Sequence, residues 1–243
     1  MLSALELLAA WERGRGATPI ERALLLLAAA DPEADTGGLA KLPIGARDAR
    51  LLRLRAELFG DTLECVARCP ECDAAVDVAV AAADLLAAQD AVGDVAVRWL
   101  DVDGYCVRFH LPSSADLMAA VSGTAPEVAR VALFDRCVEG VAAPNGAGAA
   151  AALSTTAVAA VVAEMEAADP LGDPTLDLLC PECAVRWAAP LDVIAFLWTE
   201  IDAWARRTLR EVHALAREYG WSEAEILALS PARRRAYLEL TGD

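Results

Sequence analysis

The tetrapeptide Cys-Pro-Glu-Cys occurs twice in this chain, at 69–72 and again at 180–183. Two such knuckles supply four thiolates at the spacing that tetrahedral zinc takes in closed structural sites, so Cys69, Cys72, Cys180 and Cys183 read as ligands of one structural Zn2+. Their separation along the chain is tolerable, because loop-closure entropy grows by only about 0.6 kcal/mol per doubling of loop length. The expected fold is therefore a ribbon split in two, with a subdomain inserted between its halves. Leu63 to Ala67 enters the first knuckle and Ala75 to Val80 leaves it, while Leu176 to Leu179 enters the second and Val185 to Trp187 leaves it. Each set reads as a short hairpin whose turn aims backbone amides at the thiolates.

Two other uses of these cysteines compete with the metal site. A redox dithiol suits either knuckle alone, but no thioredoxin-like βαβ pattern surrounds them and both copies carry the same Pro-Glu interior. A disulfide framework fits poorly with seven cysteines and an amino terminus that lacks the basic stretch of a secretory signal. Cys106 and Cys137 lie in apolar stretches and read as small buried hydrophobes. Cys65, four residues before Cys69, could in principle replace a ligand, although the two-residue spacing favours the quartet. His110 and His213 read as surface or core histidines.

With 243 residues the chain can bury one substantial core or two modest ones. A formal net charge of −16 repels phosphate backbones and argues against general nucleic-acid binding. The longest apolar run, Ala23 to Ala30, is too short to span a bilayer, so the expectation is a cytoplasmic protein with no membrane partner.

Helix signals dominate both ends. Ser3 with Glu6 and Thr18 with Glu21 are capping boxes, and a further helix runs from about Ile44 to Phe59 with Gly60 as its stop. Between the knuckles, Val95 to Leu100 and Tyr105 to Leu111 read as a hairpin around Asp103 and Gly104, followed by helices over 114–121 and 126–138. Residues 141–152 read as a Gly, Ala and Asn linker, and Ser154 caps another helix to about Ala167. From Pro190 to Tyr219 apolar residues recur at helical period through Ile194, Leu197, Ile201, Ala205, Leu209 and Val212. Ser222 with Glu225 is a third capping box, with Trp221 and Ile226 placed as a hydrophobic staple. The fold class expected is α+β and mainly α-helical, with a split four-cysteine zinc ribbon and a small α+β insertion. Its parts are an N-terminal helical region over 1–60, ribbon halves at 61–82 and 175–189, the insertion over 83–174, and a C-terminal helical region over 190–243.

Trp204 lies off the apolar stripe of the long helix among Arg206, Arg207 and Arg210, an aromatic and arginine composition found at interface hot spots. Packing of this helix on the ribbon is the simpler use of its aromatic residues, and a docking surface for a partner the sharper one. No Gly-rich phosphate loop, HExxH or nucleophile elbow is present, and four thiolates leave no open metal position, so no enzymatic activity is expected. The alternative function is a zinc-ribbon regulator contacting nucleic acid through the arginines. Glu211, Glu218, Glu223 and Glu225 interleave them and favour intrachain pairs or a protein partner.

The run EVHALAREYGWSEAEILALSPARRRAYLEL, with FLWTEIDAW upstream, the opening WERGRGATPIERALLLLAAA and the segment LPIGARDARLLRLR, resembles the baseplate (hub) protein family of contractile-tailed bacteriophages and extracellular contractile injection systems. The tail motif reads as a helix, Tyr219, Gly220, Trp221, an acidic capping turn, then Arg233, Arg234 and Tyr237. The resemblance implies a structural or assembly role in a baseplate, with other baseplate, tube or spike proteins as partners and incorporation into a phage-tail-like particle as a destination. The alanine-rich insertion, poor in aromatic residues, departs from the pattern.

Overall fold

The computed structural model describes residues 2–91, 97–121, 125–143, 146–148, 150 and 153–240. In chain order the elements are α1 (Ala4–Gly14), α2 (Pro19–Ala30), α3 (Thr36–Ala40), α4 (Ile44–Phe59), β1 (Thr62–Arg68), β2 (Ala75–Ala81), α5 (Ala82–Asp90), β3 (Val97–Val102), β4 (Tyr105–His110), α6 (Ser114–Ala120), α7 (Pro126–Cys137), β5 (Val138–Ala143), β6 (Gly146–Gly148), α8 (Thr155–Ala168), β7 (Thr175–Leu179), β8 (Arg186–Pro190), α9 (Val193–Tyr219), α10 (Glu223–Ala228) and α11 (Pro231–Leu240). The three expected capping boxes form, and Ser113 with Asp116 makes a fourth at the start of α6. In each, the side-chain oxygen accepts from an orphan amide of the first turn while the carboxylate accepts from the cap's own amide. The chain divides into two compact units, 1–33 with 194–243 and 34–193, a division that cuts across chain order.

The first unit is all helix. The buried stripe of α9 runs through Ile194, Leu197, Ile201, Ala205, Thr208, Val212 and Leu215. Leu209, expected on that stripe, is instead 38% exposed. After Ala205, steps of three and four place Thr208 and Val212 on the inward line and carry Leu209 about 100° around the helix. The end of α1 lies so close to α9 that a Cβ on Gly14 would overlap the Trp198 ring. Arg22 caps this contact, its guanidinium 4.5 Å from the Trp198 ring centroid and its Nε donating to the Gly14 carbonyl at 2.9 Å. Gly14→Ala should therefore push the indole out of place and destabilise this unit by about 1–3 kcal/mol. Chemical unfolding, with metal content unchanged, checks it. Trp221 stacks on Tyr219 with centroids 4.6 Å apart and meets Tyr237 edge-on at 4.9 Å, so it joins an aromatic cluster that links the ends of α9 and α11. Arg234, almost wholly buried, donates from Nε to Glu211 at 3.0 Å and from Nη1 to the Leu229 carbonyl at 2.8 Å.

The second unit holds two antiparallel hairpins, β1–β2 and β7–β8, and a four-stranded antiparallel sheet in the order β3-β4-β5-β6. Asp103 and Gly104 turn β3 into β4 with φ of 51° and 80°, as expected of a two-residue hairpin loop. One face of this sheet and the helices beside it bury Val107, Phe109, Leu111, Cys137, Val141, Val161, Met165 and Ala168. The expected linker over 141–152 is corrected: Val141, Ala142 and Ala143 pair with Gly148, Ala147 and Gly146 as an edge hairpin. Backbone pairing needs no large side chain, which is why a Gly and Ala composition concealed it. Residues 144–145, 149 and 151–152 of that segment, and 95–96 of the expected first strand, lie outside the described residues.

A polar clasp joins the start of α4, the end of α5 and the loop after α8. The N-cap of α4, Pro43, has no hydrogen-bonding side chain, and Asp169 from the end of α8 takes over: Gly45 N donates to its Oδ2 at 2.9 Å. Gln89 at the end of α5 donates to Asp169 Oδ1 at 2.9 Å and accepts from Leu171 N at 3.0 Å. A Cβ on Gly45 would overlap this carboxylate. Burial raises the Asp169 carboxyl above the ordinary range, against the hydrogen bonds from Gly45 and Gln89 that lower it. The end of α5 and the loop leading into β7 are thereby tied to the start of α4.

Candidate metal centre

Each knuckle is built by the same backbone scheme. Cys69 N donates to Ala74 O and Asp73 N to Cys69 O, both at 3.0 Å; Cys180 N donates to Val185 O at 2.9 Å and Ala184 N to Cys180 O at 3.0 Å. Asp73 and Ala184, equivalent positions, both take φ of 58°. The first cysteine of each pair is buried and the second exposed. Aspartate tolerates the left-handed region through its short polar side chain, whereas alanine there meets the following carbonyl at a cost of about 1–2 kcal/mol. Ala184→Gly should raise the stability of the metal-loaded protein by about 0.5–1 kcal/mol after allowing for the freer unfolded chain, and Asp73→Gly by less. Urea unfolding of the two variants checks the ranking.

The four sulfur atoms all lie within 4.8 Å of one another, although the knuckles stand more than a hundred residues apart. Cys69 Sγ is 3.6 Å from Cys183 Sγ, and Cys72 Sγ is 3.6 Å from Cys180 Sγ. A tetrahedron of thiolates at the zinc–sulfur bond length of about 2.3 Å has sulfur–sulfur edges of about 3.8 Å. The quartet is thus shaped to chelate a metal ion, and four thiolates complete its shell without an open position for substrate or water. Amide donors support the charge: Ala74 N–H is aimed at Cys72, Val185 N–H at Cys183, and the amides of Cys183 and Glu182 at Cys180. Those of Cys183 and Glu182, with the neighbouring thiols, lower Cys180 to about 7. At Cys72 the Ala74 amide lowers the thiol, but the thiols of Cys183, Cys180 and Cys69 together with burial outweigh it and push the group up to about 12. Cys183 is also raised. Four thiols this close cannot all ionise by themselves, and a bound divalent cation would supply the charge that lets them.

The remaining cysteines stay outside the quartet. Cys65 lies mid-strand in β1 opposite Val78, and burial raises its thiol. Cys137, buried in the sheet core, is pushed up to about 12, chiefly by burial. With His110 and Asp116 it forms a second close group of metal-ligating types. The carboxylate of this group is already engaged within the chain: Asp116 accepts from Ser113 and faces His110 at 3.2 Å and Arg136 at 3.3 Å. Asp116 itself is held below the ordinary carboxylate value; burial opposes this, but the bonds from Ser113 and His110 prevail.

Of the four residues singled out on the long helix, Arg206 and Arg210 line an open depression of about 410 Å³ together with Trp11, Arg15 and Leu209. Trp204 is half-buried, Arg207 is exposed, and neither lines it. The contribution of Trp11 and Arg15 was missed because nothing local in the sequence places residue 11 beside residue 206; the Trp-x-x-x-Arg spacing at 11–15 was the only signal, one helical turn long. Among the described residues, no helix is long and apolar enough to cross a membrane.

No curated protein and no solved structure matches the chain. A family model described as T4 bacteriophage base plate protein matches residues 19–171, from α2 through the first knuckle and the inserted sheet to the Asp169 clasp. The match covers well over half of the chain and stops short of the second knuckle and of the tail run 211–240. The chain therefore belongs to the T4 baseplate protein family of contractile injection systems, whose members are structural and not catalytic.

Proposed function

We propose that this protein is a zinc-stabilised structural or assembly component of the baseplate of a contractile phage-tail-like particle. It is made in the cytoplasm and contacts other baseplate, tube or spike proteins. The single observation that carries the reading is the family match over residues 19–171. The four-cysteine cluster supports the metal-stabilised part of it: the donor set is all thiolate, the shell closes at four, and borderline-soft Zn2+ is the ion such structural sites take. Zinc bound by Cys69, Cys72, Cys180 and Cys183 would hold the two hairpins together, and would supply no Lewis-acid chemistry to a substrate because no ligand position is open. The net charge of −16 argues against contact with nucleic acid.

The test is genetic and biochemical. Deleting the gene in particle-producing cells should abolish complete contractile particles, and wild-type yield and contraction in the deletion strain would overturn the proposal. Comparing the protein in immature assemblies with its level in sedimented complete particles then separates a permanent subunit from an assembly factor that leaves.

A further inference from the structure

The depression on the first unit combines an apolar floor with a cationic rim. Trp11 is 8% exposed, its indole Nε1 donating to Asp202 Oδ1 at 2.9 Å, so the ring is fixed and only a small part of it lines the depression. Leu209, turned away from the core, adds aliphatic surface beside it. Three arginines stand around this floor. Arg15 lies over the Trp11 ring, 5.3 Å from its centroid. Arg206 donates from Nε to Asp202 Oδ2 at 2.7 Å, which holds its guanidinium in place and fixes Asp202 below the ordinary carboxylate range. Arg210 donates from Nε to the Arg206 carbonyl at 3.1 Å, which orients its fork while leaving the terminal nitrogens uncommitted to a carboxylate. Among the described residues, neither Arg15 nor Arg210 has a carboxylate within 4.0 Å.

In a chain of net charge −16, three arginines around one apolar floor make a local cationic site on an acidic protein. Rim arginines against a single carboxylate leave a net positive site, and planar guanidinium groups suit bidentate carboxylate recognition. A fixed indole beside an exposed leucine suits one inserted apolar side chain rather than a phosphate backbone. A nucleic acid would need a longer basic track, whereas beyond Arg210 the helix alternates arginine with Glu211 and Glu218.

We propose that the Trp11, Arg15, Arg206, Leu209 and Arg210 depression is a docking site for an acidic segment of a partner protein, one that inserts an aliphatic or aromatic side chain between flanking carboxylates. The proposal deepens the baseplate reading, since such a segment would belong to a neighbouring subunit, and rests on that reading for its biological setting alone. Binding itself is tested without it.

Selection of a random dodecapeptide display library on the metal-loaded full-length protein provides the probe. Enriched peptides should carry at least two Asp or Glu residues around one Leu, Phe or Trp. Their affinity should fall as salt rises, and should drop at least ~10-fold on the double variant Arg15→Glu and Arg210→Glu, with helicity and metal content unchanged. Leu209→Ser should weaken binding without altering the salt dependence. Enrichment of peptides without acidic residues, equal binding to the charge-reversed variant, no enrichment at all, or tighter binding of a duplex DNA than of any selected peptide would each overturn the proposal. In particle-producing cells the same charge-reversed variant should fail to assemble particles. Particles that need the gene but tolerate the variant sink the docking site and spare the baseplate role, while a gene that is dispensable sinks the baseplate role and leaves the binding result standing.

Discussion

Replacing Cys180 and Cys183 together by serine should abolish cooperative folding of the 34–193 unit, not merely lower its stability. Structural zinc in small four-ligand sites carries about 10–16 kcal/mol of apparent binding free energy, and a whole domain is stable by only about 5–15 kcal/mol. Hairpins β1–β2 and β7–β8 are two-stranded, and isolated two-stranded hairpins are marginal in water. The sheet core around Phe109 and Val161 is a separate apolar cluster and should retain residual helix and strand. The expected result is loss of the near-ultraviolet signal of Trp187 and a broad, non-cooperative transition, with the tryptophans of the first unit little changed. A chelator strong enough to strip the wild-type protein should reproduce this state, and added zinc should reverse it. An unaltered cooperative transition in the double variant would show that the cysteines are incidental to the fold.

The second large effect is expected at the buried ion pair of α4. Arg47 and Asp48 are 3% and 5% exposed, joined by Nε to Oδ1 at 2.7 Å and Nη2 to Oδ2 at 3.0 Å, and Arg47 Nη1 reaches Ser114 Oγ at 3.0 Å. Removing one partner leaves the other charge buried and uncompensated, so Arg47→Met should cost about 3–5 kcal/mol. Replacing both, as Arg47→Met with Asp48→Leu, should recover most of that loss, because buried pairs exchanged for apolar residues of similar volume are often neutral. The sign of the pH dependence follows from Asp48, which burial raises above its ordinary value of 3.8 against the opposing bonds from Arg47. A carboxyl whose folded value is raised weakens the fold as pH climbs from the unfolded value to the folded one, and Arg47→Met raises it further. Relative to wild type, the deficit should therefore be small near pH 4 and reach its full size by neutral pH. Urea titrations of the four proteins in the cycle check both claims, and a double variant as unstable as the single one would contradict the pairing argument.

Features set by short spacing were legible in the chain before any coordinate. Ser3 with Glu6, Thr18 with Glu21 and Ser222 with Glu225 announce helix starts because a capping box is complete within four residues. The thiol quartet was equally legible, since the two-residue interval inside each knuckle is the one that tetrahedral metal sites take and the identical interiors pair one knuckle with the other. What escaped was anything that depends on which distant backbone comes near. The β5–β6 hairpin forms through main-chain bonds that Gly and Ala do not advertise. Asp169 reads locally as a loop residue and becomes a remote cap only because α8 ends beside Gly45. Leu209 fits the apolar period almost as well as Thr208 does, and only the packed helix decides that Thr208 faces inward at 1% exposure.

The most direct test of the account is the coordination of the metal in the purified protein, prepared under reducing conditions without chelator. Elemental analysis combined with X-ray absorption at the zinc edge should find one zinc per chain in a shell of four sulfur atoms at about 2.3 Å, lost when Cys69 and Cys72 are replaced by serine. Protein that is folded and free of zinc, or a shell containing nitrogen or oxygen in place of one of the four sulfurs, would contradict a closed centre built from Cys69, Cys72, Cys180 and Cys183.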